Sequence, residues 1–216
     1  MNTARCYPST IAAPVVNEIV IKKSRFIAHV APAASPDAAD EVIAGIKKQH
    51  WDARHNCVAM VTGLLGDQAR SSDDGEPSGT AGVPMLEVLR RRELTDLVAV
   101  VARYFGGVKL GAGGLIRAYS SAVSEALDRA VLLRRESLTR VTLEVAHADA
   151  GRIDNVMREW AAQHGARFGD PTYGGTVAFE LWVPPEQLEL LRADVAATSA
   201  GAIVPVEGEQ RIIDVR

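Results

Sequence analysis

Five glycines, Gly106, Gly107, Gly111, Gly113 and Gly114, crowd into nine residues around one lysine, Lys109. Arg103 stands before them and Arg117 after them. Upstream, Leu97–Ala102 is a continuous apolar run rich in valine, the pattern of a strand buried on both faces. Downstream, Ile116, Tyr119, Val123, Leu127 and Ala130 recur at helical spacing, which predicts a helix over Leu115–Ala130. Glycine lets a backbone reach positive φ and lets a partner come close. A helix N-terminus offers unpaired N–H groups and partial positive charge. The chemistry of a strand, glycine loop and helix in that order is therefore anion binding, with Lys109, Arg103 and Arg117 adding charge. The loop is neither a GxxxxGK[ST] phosphate loop nor a GxGxxG dinucleotide loop. The competing explanation is a tight connection whose glycines permit close helix–strand packing.

Other residue groups invite other chemistry. Lys22, Lys23 and Arg25 sit at the junction of two expected strands, Val15–Ile21 and Phe26–Ala31, and suit either a phosphate contact or a solvated turn. His50, His55 and Cys57 fall within eight residues, yet no second cluster stands at zinc-ligand spacing. Strand alternation buries Cys57, and His55 beside Arg54 reads as a surface polar pair or as part of the anion site. Asp73, Asp74 and Glu76 lie in the polar stretch Gly66–Gly82 and are of a type that holds Mg²⁺ or Ca²⁺. The calcium-loop pattern is not matched, and Asp-Gly and Ser-Gly are strong turn formers. Thr80 is placed to cap a following helix with Val83, Leu86, Val88 and Leu89 inward, and Arg90–Arg92 suit its C-terminal dipole.

The elements that must position these groups follow from the same reading. Residues 1–13 read as a loose leader. Ser35 caps a helix with Pro36 at its first position, and Val42, Ile43 and Ile46 form its apolar side. A boundary falls near Glu136, giving domains 1–136 and 137–216. Beyond it come a strand over Leu138–Val145, a helix over Ala148–His164, and two strands joined at Tyr173-Gly174-Gly175. A helix from Pro184 to Ala197 and a strand over Ile203–Val215 complete the order βαββαβ, a ferredoxin-like unit. It offers no nucleophile–base pair.

Composition sets outer limits. The chain has 216 residues, is 47% hydrophobic and carries a net charge of −3, so it can bury a core and has no global basic field. Its charge is uneven: 17 Lys+Arg against 15 Asp+Glu up to residue 136, then 7 against 12. A polyanion partner therefore fits the first part. Cys6 and Cys57 do not make a disulfide framework. With neither signal-peptide pattern nor membrane-length apolar run, a soluble cytoplasmic protein without a membrane partner is expected.

Three segments, His55-Asn56-Cys57, Asp73–Gly82 (DDGEPSGTAG) and Arg103–Tyr119 (RYFGGVKLGAGGLIRAY), in this order along the chain, resemble the signatures of the IMPACT/YigZ family, also known as UPF0029. The resemblance spans about residues 14–135, and the remainder is similar to the smaller C-terminal domain of bacterial members. It implies an α+β fold of two domains: an N-terminal one like domain 2 of ribosomal protein S5 and a ferredoxin-like one, similar to the last two domains of elongation factor G. A KKSRF-like segment recurs in the family. Many members carry aromatics just after the Asn-Cys pair, where this chain has Val58 and Met60. The function implied is non-enzymatic: a nucleic-acid or ribosome-associated binding protein linked to translation regulation, with RNA ahead of DNA and no cofactor. Phosphates would meet Lys22, Lys23, Arg25, Arg54, His55, Arg103, Lys109 and Arg117 around the loop glycines. Two alternatives stand beside it: a Mg-nucleotide phosphotransferase of the S5-like fold, and a protein-interaction module for a translation factor. No residue is assigned to catalysis.

Overall fold

The computed structural model describes residues 7–215. They form two compact units that divide between Arg134 and Arg135, and the fold is α+β in two domains. Cys6 lies outside the described residues.

The first unit is built on a five-stranded antiparallel sheet. Its strands are β2 (Val15–Ile21), β3 (Ser24–Pro32), β4 (His55–Thr62), β5 (Gln68–Ser72) and β6 (Leu97–Tyr104), in the order β2-β3-β6-β4-β5. The central strand β6 is buried along Leu97–Arg103 because both faces are covered. On one face α1 (Pro36–Gln49) packs Ala39 and Ile46 against Val58, Met60, Val98 and Val100. On the other, α2 (Gly82–Arg91) and α3 (Ala112–Leu127) pack against Phe26, Cys57, Ala99 and Val101. Ser35 does cap α1, accepting from Ala38 N at 3.2 Å, with Pro36 at the first position.

Local expectations are corrected in four places. Thr10–Ile11, inside the stretch read as a leader, is a short strand β1 that pairs with Leu132–Leu133, and Ile11 is buried. The polar stretch Gly66–Gly82 contains the edge strand β5. Val83 points outward from α2, and Pro84, Met85 and Leu89 fill its inner face. Ile116 is likewise exposed, because α3 starts at Ala112 and turns Leu115, Tyr119 and Val123 to the core.

The second unit follows βαββαβ order. β7 (Leu132–Val145) leads to α4 (Ala150–Gln163), the short strands β8 (Arg167–Phe168) and β9 (Thr172–Tyr173), and β10 (Val177–Val183). A single 3₁₀ turn then enters α5 (Leu188–Ser199), and β11 (Val206–Val215) closes the chain. β11 pairs with β7, β7 with β10, and β10 with both β8 and β9, the strand order of a split βαβ unit. Strict alternation in β10 buries Val177, Phe179, Leu181 and Val183 against Ile153, Met157 and Trp160 of α4 and Leu191 and Val195 of α5.

Candidate functional site

Antiparallel pairing of β4 with β6 sets His55 opposite Arg103. That register opens a cavity of about 470 Å³ between three stretches: Arg54–His55, the turn Gly75–Pro77, and the run from Arg103 through the glycine loop to Leu115. Its inner end is a buried ion pair. The Arg103 Nη1 donates to Glu76 Oε1, which also accepts from the Tyr119 hydroxyl at 2.8 Å. Arg103 is 5% exposed and Glu76 9%, so each charge depends on the other. The Arg103 Nε is buried without a partner. The His55 Nε2 stands 3.9 Å from Glu76 Oε1, and its Nδ1 donates to the Asp74 carbonyl oxygen at 2.8 Å. A carbonyl only accepts, so Nδ1 carries a proton.

The acidic turn is consumed by structure. Asp73 accepts from the backbone N–H groups of Gly79 at 2.7 Å, Ala81 at 3.0 Å and Gly82 at 2.8 Å. Burial alone would raise its pKa, but these three donors outweigh burial and hold the carboxyl below its ordinary range. Asp73 thus caps α2 in place of the expected Thr80, whose hydroxyl donates to the Pro77 carbonyl at 2.6 Å. Asp74 accepts from Asn56 N at 2.6 Å and from Lys47 at 3.3 Å. Cys57 is fully buried and donates to the Asp73 carbonyl at 3.0 Å.

The loop glycines divide by role. Gly106 sits so close to the β2–β3 turn that a Cβ there would lie 2.0 Å from the Lys23 carbonyl carbon, and its N–H donates to Ser24 Oγ at 3.1 Å. Gly111, at φ 75°, is the N-terminal cap residue of α3 and leaves that helix end without a side-chain cap. Gly107 also has positive φ, 83°, and Gly113 and Gly114 form the first turn of α3. No acidic residue stands in that turn, and Gly111, Ala112 and Leu115 at the start of α3 line the cavity, where a helix has N–H groups without intrahelical partners.

Five of the sequence-derived candidates, Arg54, His55, Arg103, Lys109 and Gly111, line this one cavity. Arg117 lies one turn into α3, exposed, with its guanidinium beside Gly113. Lys22 and Lys23 are the two residues of the β2–β3 turn, and Arg25 is bound to Glu18 through Nε at 2.7 Å. Among the described residues, Arg54, Lys109 and Arg117 form no ion pair. One lining residue was passed over in the sequence. Phe105, in the middle of the RYFGG segment, is 44% exposed and has the guanidinium carbons of Arg103 and Arg54 at 5.7 and 5.9 Å from its ring centre.

His50 is not part of this site. It lies under the opposite face, its Nε2 2.8 Å from that of His29 and its Nδ1 3.1 Å from the Tyr104 hydroxyl, which donates to Asp52 at 2.9 Å. No group of three or more metal-ligating side chains occurs among the described residues.

Known proteins agree with this architecture. A family model for the Impact N-terminal domain matches residues 22–127, and the domain of unknown function DUF1949 matches residues 143–202. The chain is 37% identical to IMPACT family member YigZ of Escherichia coli (strain K12), over 89% of this chain and 93% of that one. It belongs to the IMPACT family. A second IMPACT family member, YvyE of Bacillus subtilis (strain 168), is 52% identical over 66% of each chain. A crystal structure of a hypothetical protein, 35% identical, superimposes with a TM-score of 0.60 over 95% of this chain and 98% of its own. The cavity lies inside the Impact N-terminal match, as do Arg54, Lys109 and Arg117.

Proposed function

We propose that this IMPACT-family protein is a non-enzymatic nucleic-acid-binding protein that docks RNA phosphates at the open end of α3, and that it serves translation on or near the ribosome. The observation that carries the reading is the convergence of Arg54, Lys109 and Arg117, none in an ion pair among the described residues, around a helix N-terminus with no side-chain cap. Unspent cations beside unpaired N–H groups attract phosphate, and such contacts position a nucleic acid without reading its sequence. The resemblance to the last two domains of elongation factor G supports the ribosome as the setting. The Mg-nucleotide alternative is weakened by Asp73, Asp74 and Glu76, whose carboxylates already serve internal donors.

Binding of labelled structured RNA, double-stranded DNA and ribosomes at two salt concentrations tests this. Each phosphate contact contributes roughly 0.9 to the slope of log affinity against log salt. Lys109→Ala with Arg117→Ala should flatten the slope by about 2 and weaken RNA binding on the order of tenfold at moderate salt, with unfolding unchanged. Wild-type binding that ignores salt, or a double variant that binds as well as wild type, would remove α3 from the interface.

A further inference from the structure

We infer that the cavity receives an unpaired nucleotide, its base stacked on Phe105 and its phosphate held at the start of α3. This rests on the phosphate-docking function proposed above and narrows it to single-stranded nucleic acid.

Three observations lead here. A phosphate-only site needs charge and backbone donors at a surface, yet this site is a cavity of about 470 Å³ with Phe105, Pro77, Leu110 and Leu115 in its lining. That volume lies within the range of roughly 300–1,000 Å³ typical of pockets that enclose a small organic molecule. Apolar lining has no use for a phosphate, but it matches a base.

Second, Phe105 leaves 44% of its surface open although it borders a folded core. Arg103 stands between two aromatic rings, its guanidinium carbon 5.3 Å from the Phe26 ring centre and 5.7 Å from that of Phe105. Arg103 is itself fixed by Glu76, so the chain from Glu76 through Arg103 holds the Phe105 ring in place before any ligand arrives. A ring positioned in advance loses little freedom on binding. Arg54, unpaired and 5.9 Å from the same ring centre, offers a planar guanidinium that stacks on bases as readily as it meets phosphate.

Third, the cationic and apolar groups share one concavity. In a duplex the base faces are hidden in the stack, and only backbone and groove edges can be reached. An aromatic ring inside a pocket is therefore useless to a duplex. An unpaired base exposes its faces, and stacking tolerates any base, so the site is expected to be indifferent to sequence.

The test uses the full chain and short labelled single strands of RNA and DNA, a blunt-ended RNA duplex of equal length, and free nucleoside monophosphate. Single strands are expected to bind more tightly than the blunt duplex. Phe105→Ala should weaken single-strand binding about tenfold, leave the salt slope unchanged, and leave duplex binding as it was. Phe105→Trp should retain affinity. Urea unfolding of each variant checks that folding is intact. Equal affinity for strand and blunt duplex, or single-strand binding indifferent to Phe105→Ala, overturns the stacking site while leaving phosphate docking in place. Loss of binding only in the Lys109 and Arg117 double variant has the same meaning. Absence of salt-sensitive binding to every probe overturns both readings together. Tight binding of the monophosphate alone, with none of the polymers, shows a free-nucleotide site and also overturns the single-strand assignment.

Discussion

Cys57 shows how far burial governs chemistry in this domain. Its thiol is 0% exposed, and burial pushes its pKa up from an ordinary 9.0 to about 12, against a smaller lowering by the Tyr119 hydroxyl. Tyr119 is itself raised, first by burial and then by Cys57 and Glu76. In the unfolded chain the thiol ionises near its ordinary value, so between about pH 9 and 12 the unfolded state holds fewer protons than the folded one. Stability supplied by the neutral thiol is complete below pH 9 and falls as pH rises through that window. Urea midpoints at pH 7 and pH 10 should therefore diverge in wild type, and Cys57→Ser should shrink the gap. An equal drop in both proteins would show that the thiol does not drive the alkaline limb. Glu76 and Arg103 make a different point. One resembles a cation ligand and the other a phosphate contact when met by residue type. They are 27 positions apart, Arg103 in β6 and Glu76 in the turn after β5, and only the folded domain brings them together as a buried pair.

Among elements, the β2–β3 hairpin carries the clearest conflict between sequence and geometry. Lys22 and Lys23 both adopt positive φ, 47° and 66°, as a two-residue turn with reversed twist requires. Asparagine and glycine are the natural occupants, so Lys22→Asn with Lys23→Gly should stabilise the protein by about 1 kcal/mol, read from urea unfolding. Destabilisation would show that the lysine side chains hold something the backbone geometry does not reveal. The hairpin itself was legible because its signal is local: two alternating strands flanking a charged junction. The same holds for the Ser35 cap, for the apolar run of β6 and for the βαββαβ order of the second unit. β5 was not legible, since an edge strand reading Gln68 to Ser72 has no apolar alternation to betray it. β1 is two residues long, too short for any period. In the candidate site, residue type and spacing pointed to Arg54, His55 and Lys109 before any fold was known. Phe105 escaped notice because an aromatic after a buried strand reads as core, and its exposure is decided by the loop that follows.

At the scale of the whole molecule, each unit closes its own core: Phe26, Cys57, Val101 and Tyr119 in one, Val141, Phe179, Met157 and Trp160 in the other. Chains with separate cores depart from two-state unfolding. Calorimetry should resolve two transitions, and Glu76→Gln, which leaves Arg103 buried without its counter-charge, should lower one of them by about 3 kcal/mol. The transition reported by the buried indole of Trp160 should stay where it was. A single transition that shifts as a whole would show that the two cores melt together. The cavity belongs wholly to the first unit, and its walls come from residues 54–55, 75–77 and 103–115, which meet only through the finished sheet. The unfolded chain consequently has no version of this cavity to offer. Any occupant selects the folded form, adding roughly 2.7 kcal/mol at a hundredfold excess over its dissociation constant. Occupancy and lifetime are thus coupled: inside a cell, molecules engaged with their partner would be spared by proteases, and idle ones would turn over first.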